Sequence, residues 1–116
     1  MKPEEFASLL FEIEIISHIA HLQTTSYPEH IALNTLYSDI VGHRDNFIES
    51  YQGKYGIIKG YKISVKEGVD MVTYLKGCSE IINKFRETLE DGYLQQITDD
   101  VQELLNSTIY KLKFLK

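Results

Sequence analysis

Apolar residues recur three and four positions apart in four separate stretches of this chain, the period of a helix with one buried stripe. The first stretch runs from about Pro3 to Gln23 on Phe6, Leu9, Leu10, Ile13, Ile16 and Ile19. The second runs from about Pro28 to Gln52 on Leu33, Leu36, Ile40, Val41 and Phe47. The third, about Val65 to Leu89, uses Val69, Val72, Leu75, Ile81, Ile82 and Phe85. The fourth, about Tyr93 to Leu115, uses Leu94, Ile97, Val101, Leu105 and Ile109. Local signals agree. Pro3 and Pro28 suit first turns, where a missing N–H costs nothing. Ser26 precedes the second helix as a cap, with Glu29 where a capping box wants a carboxylate. Gly53 and Gly56 read as stop and turn, and Glu90-Asp91-Gly92 as a turn. Gly68 and Gly77 fall inside the third stretch, where each weakens a helix by about 1 kcal/mol.

The expected fold is all-α, with residues 1–116 as one four-helix domain. Few residues separate the first two helices or the last two, so each pair is expected to be antiparallel. The middle connection, about Ile57 to Val65, alternates weakly and reads as an extended crossover with room for a short strand. About a dozen extended residues span close to 40 Å, the length of a helix of about 25 residues. Two hairpins joined by such a crossover make the ferritin-like arrangement.

A chain of 116 residues can bury a core without staples. It has no run of about 18 apolar residues, so no membrane span is expected. Acidic Glu4 and Glu5 directly before the apolar stretch are unlike a signal peptide. The single cysteine, Cys78, reads as a small buried residue and favours a reducing, cytoplasmic setting. The net charge of −5 argues against a surface that coats nucleic acid. The lysines at 111, 113 and 116 read as a complement to the last helix dipole.

All four histidines, His18, His21, His30 and His43, lie in the first half of the chain. Imidazole is a common ligand for iron, zinc and copper. The short turn between His21 and His30 brings them to one end of the hairpin. Asn34 shares the His30 face, and Asp45 and Glu49, also four apart, share another stretch of it. Asp45 follows His30 by about 22 Å along the helix axis, too far for one ion whose ligands sit at about 2 Å. The two positions are only about 60° apart around the helix, however. Two copies of this helix, antiparallel about a two-fold axis, would set His30 of one chain beside Asp45 and Glu49 of the other, twice over.

The pattern His21, then His30-x3-Asn34-x10-Asp45-x3-Glu49, resembles the ferroxidase motif of the Dps proteins, the miniature ferritins. In that family the site lies between two subunits, with histidines from one and carboxylates from the other. The resemblance implies a homodimer or larger homo-oligomer. It also implies a two-iron site, with zinc or manganese as other cations, and oxidation of Fe(II) by oxygen or peroxide. His21 and His30 would be nitrogen ligands, Glu49 a bridging carboxylate, Asp45 a terminal one, and Asn34 a weak ligand or a hydrogen bonder behind the ligands. Asn34 stands where the family has aspartate, the His21–His30 gap is shorter, and a lysine-rich tail is absent. The text around His21-Leu22-Gln23-Thr24 and Tyr51-Gln52-Gly53-Lys54-Tyr55-Gly56 is also similar to small bacteriophage proteins assigned a Dps-like fold. For a phage-encoded chain, the compartment implied is the host cytoplasm.

Each signal also has a plainer reading. His21, His30, Asp45 and Glu49 suit a solvated helix face in a helical interaction protein that kept the fold without the chemistry. His18 reads as a partly buried histidine bonded to a neighbour, or else as an added ligand. His43 reads as surface, and Glu12 and Glu14 as helix surface rather than ligands. Tyr51, Tyr55 and Tyr61 read either as an interface or as a closure of one bundle end.

Overall fold

A computed structural model describes residues 1–116. It contains four helices, α1 (Pro3–Gln23), α2 (Tyr27–Tyr55), α3 (Met71–Glu87) and α4 (Gly92–Phe114), and no strand. The expected all-α bundle is therefore present, and the stretch that had room for a short strand forms none. Residues 56–70 link α2 to α3 without helix.

Two helix ends differ from expectation. The third helix begins at Met71, six residues later than about Val65. Gly68 takes φ +69, a left-handed conformation outside any helix. Asp70 then caps α3, its carboxylate accepting from the Thr73 N–H at 3.1 Å. The second helix does not stop at Gly53. It continues to Tyr55 and ends at Gly56, φ 102, whose N–H reaches the Gln52 carbonyl. Gly53 remains helical because Phe47 and Tyr51, six and two residues earlier, anchor this end on the core.

The packing pairs are α1 with α2, α2 with α4, α4 with α3 and α3 with α1. Each helix thus has two neighbours, and α2 stands diagonal to α3. Phe6, Phe47 and Phe85 meet with ring centroids 4.5 to 5.8 Å apart. Their contact brings the start of α1 and the ends of α2 and α3 to one end of the bundle. Lys54 and Tyr55 both bond Asp91, so α4 starts at that end too. Neighbouring helices are therefore antiparallel.

The linking residues lie along α1: the Lys62 N–H donates to Ser8 Oγ at 3.0 Å and the Ser64 N–H to Glu12 Oε1 at 2.8 Å. Leu10, Ile13, Leu33, Leu36, Ile40, Leu75, Ile82, Leu94, Val101 and Leu105 fill the centre, all fully buried. Removing one such leucine to alanine costs about 2–5 kcal/mol, so this core holds the helices in register. No helix is long and apolar enough to cross a membrane.

Candidate functional site

The α1–α2 turn brings His21 and His30 face to face. Their rings stack with centroids 3.7 Å apart at 16°. His21 Nδ1 lies 2.6 Å from the His30 carbonyl, and His30 Nδ1 lies 2.8 Å from the His21 carbonyl. A carbonyl oxygen only accepts, so each Nδ1 carries the proton and donates. The His21 carbonyl belongs to the last turn of α1, where helical partners run out, and the His30 ring supplies one. In the neutral tautomer this leaves Nε2 as the lone-pair nitrogen on both rings. That is how a metal-ligating histidine is held, one nitrogen tied to a carbonyl and the other free to ligate.

His18 and Tyr37 extend the cluster. Their rings stack at 3.9 Å and 4°. The Tyr37 hydroxyl donates to Asn34 Oδ1 at 2.7 Å. His18 is exposed, not partly buried as its pattern suggested, because it covers Tyr37 from the solvent side. Asn34 is also exposed, and one lone pair of its oxygen is already used. His43 is half-buried and has no hydrogen-bond partner.

Asp45 and Glu49 are exposed on α2, farther along the same helix. Asp45 Oδ1 accepts from Arg44 Nε at 3.1 Å, and Glu49 has no polar partner. Within one chain no three His, Cys, Asp or Glu side chains gather closely enough to hold an ion. The structure thus unites His21, His30, His18, Tyr37 and Asn34, and leaves Asp45 and Glu49 apart from them.

Arg44 escaped the sequence reading. It is 8% exposed, its guanidinium 4.0 Å above the Phe11 ring and paired with Glu14. The signal was there: Arg44 follows Ile40 by four and precedes Phe47 by three, so it shares their buried face. Glu14 is therefore an ion-pair partner rather than free helix surface, and Glu12 accepts the Ser64 N–H. Of the tyrosines, Tyr51 and Tyr55 close the bundle end, whereas Tyr61 lies against Phe11 on the flank of α1. Cys78 is buried, and burial raises its thiol to about 11, which leaves little thiolate to react.

Residues 21–112 match the model of DUF5856, described as a family of unknown function. The chain belongs to that family. The matched span includes His21, His30, Asn34, Asp45, Glu49 and Arg44, and leaves out His18 and Phe11. No curated protein and no solved structure matches the chain.

Proposed function

We propose that two copies of this DUF5856 chain bind divalent metal between them, through His21 and His30 of one copy and Asp45 and Glu49 of the other. The observation that carries this reading is the reciprocal pair of Nδ1–H bonds, which leaves both Nε2 atoms free of the chain's own acceptors. His30, Asn34, Ser38, Asp45 and Glu49 fall within about 100° of arc on α2. Ser38 and Gly42, both exposed, lie between the two ends of this face, and nothing stands within 4 Å of a Cβ built at Gly42. Small side chains there let two helices approach closely. A two-fold axis near Asp39 and Ile40 along the helix relates His30 to Glu49 and Asn34 to Asp45.

Iron is the cation implied by the resemblance to Dps proteins, with zinc and manganese suited to the same donors. When bound, such an ion supplies Lewis acidity and, for iron, an exchangeable electron. The chain's residues do the holding. The carbonyls fix the imidazole tautomer, the Tyr37–Asn34 bond steadies the neighbouring surface, and Arg44 orients Asp45. With Asn34 in place of an aspartate the site carries one negative charge fewer, so the proposal is binding first and Fe(II) oxidation second.

The test is anaerobic calorimetry of the metal-free protein with Fe(II) and with Zn(II), alongside sedimentation. The expected result is saturation at roughly one to two ions per chain, in a dimer or larger assembly. His30→Ala should abolish it, and so should Glu49→Gln, an exposed position whose loss leaves the fold alone. Binding that survives Asp45→Asn and Glu49→Gln together would remove the partner copy from the site.

One observation favours a second reading, a helical interaction protein without metal chemistry. The His21–His30 bonds close the α1–α2 hairpin by themselves and need no ion to do so. Absence of binding in the unmodified protein would leave this reading standing.

A further inference from the structure

From Ser50 to Lys66 the chain holds four lysines and no acid, while the remainder carries eight Lys or Arg against 17 Asp or Glu. This basic stretch includes the link between α2 and α3. The link is anchored at its start by Ile58, which is buried and donates its N–H to Gln52 Oε1 at 3.1 Å. Beyond Gly60 the N–H groups of Lys62 and Ser64, two residues apart, both point at α1. Alternate amides aimed at one side are the geometry of an extended strand. The intervening N–H groups of Tyr61, Ile63 and Val65 then face the opposite edge, and none of them has a partner within the chain. Their side chains are apolar and 39%, 43% and 48% exposed. Lys59, Lys62 and Lys66 have no carboxylate partner either. An unpaired strand edge with β-branched and aromatic residues is a template for another strand.

We infer that residues 61–65 are a docking edge that takes an extended acidic peptide as an added strand. Charge selects this occupant. Pairing of the edge with a second copy of itself would gather six lysines, Lys59, Lys62 and Lys66 of each copy, into two adjoining strands with no carboxylate between residues 59 and 66 to offset them, which is unfavourable. A peptide alternating acidic and apolar residues meets the lysines with carboxylates, and the Tyr61, Ile63 and Val65 face with its apolar side. This edge is separate from the histidine site and does not depend on it.

The test uses the full chain labelled for NMR and a capped peptide of about seven residues alternating Glu and Val. Hydrogen exchange at the Tyr61, Ile63 and Val65 amides should slow on binding, with the helices unchanged. Replacing Lys59, Lys62 and Lys66 by Gln should weaken binding about tenfold or more. Ile63→Pro, which removes an amide that nothing in the chain uses, should abolish the protection while the helices persist. Equal affinity for a peptide N-methylated along its pairing edge would overturn the inference. So would unslowed exchange at millimolar peptide, protection of these amides by self-association, or preferential binding of a single-stranded oligonucleotide to them.

Discussion

The two ends of this bundle, about 43 Å apart on its long axis, solve the same problem with different chemistry. At the Phe end, helix termini are held by apolar area. Phe6, Phe47 and Phe85 are 0–1% exposed and pack ring against ring, and the Lys54–Asp91 ion pair lies outside them. At the histidine end the termini are held by directional bonds between two rings and two carbonyls, with Leu22 and Tyr27 left 70% and 73% exposed. The comparison teaches where stability and function can be separated. Apolar packing is worth more per residue and is indifferent to chemistry. A reciprocal imidazole pair holds less but leaves two ring nitrogens for other work.

The largest effect expected from this contrast is at the Phe end. Phe6→Ala should lower unfolding stability by about 3–5 kcal/mol, because it opens a cavity against two other rings. Denaturant unfolding measures it, and a loss below about 1 kcal/mol would mean that the aromatic contact is not what joins three helices.

At the histidine end His21→Ala should cost less, about 1–3 kcal/mol, from one lost buried ring and its hydrogen bond to the His30 carbonyl. Amide exchange should speed up around the α1–α2 turn while the Phe end stays protected. Uniform loosening of both ends would mean that the two ends are not stabilised separately.

The smallest effect concerns Lys54, Tyr55 and Asp91. The bond to Lys54, with the bond from Tyr55, holds the Asp91 carboxyl below its ordinary 3.8, so its stabilising part is present above that pH and fades as pH falls through the lowered value. The bond to Asp91 raises Lys54 from 10.5 to about 12, so its part is present below 10.5 and fades as pH rises through about 12. The pair reaches solvent through Lys54, whose side chain is 51% exposed against 9% for Asp91, so screening keeps the contribution modest. Asp91→Asn should therefore flatten the acid limb of stability against pH slightly and leave the midpoint near neutral pH almost unmoved. An unchanged acid limb would show that the pair is decorative.

Much of the helical frame is legible from spacing alone. Phe6, Leu10, Ile13, Leu33, Leu36, Ile40, Leu75 and Ile82 all lie in predicted helices and all are fully buried. The start of the third helix is not legible in the same way. Val69 and Gly68 continue a helix-like pattern before Met71, and only the left-handed backbone at Gly68 with the Asp70 cap excludes them. Ile81 shows the same limit, since it fits the stripe beside Ile82 yet is 40% exposed. Among the site residues, the chain positions of His21 and His30 suggested that they share an end. Nothing in their spacing showed that each ring would bond the other's carbonyl.

What the sequence determined by itself is periodicity and punctuation: four amphipathic stretches, the Ser26 cap of the second, and a turn too short to let His21 and His30 separate. These follow from neighbours three or four residues apart, where backbone geometry leaves few alternatives. The tertiary structure alone decided the rest. Arg44 lies against Phe11 and Glu14 because α1 and α2 cross at that height, thirty residues apart in the chain. The link from α2 to α3 borrows Ser8 and Glu12 as acceptors because it runs beside α1, and so its opposite edge is left unpaired. Contacts of that kind depend on where whole helices lie, and the local pattern carries no record of it.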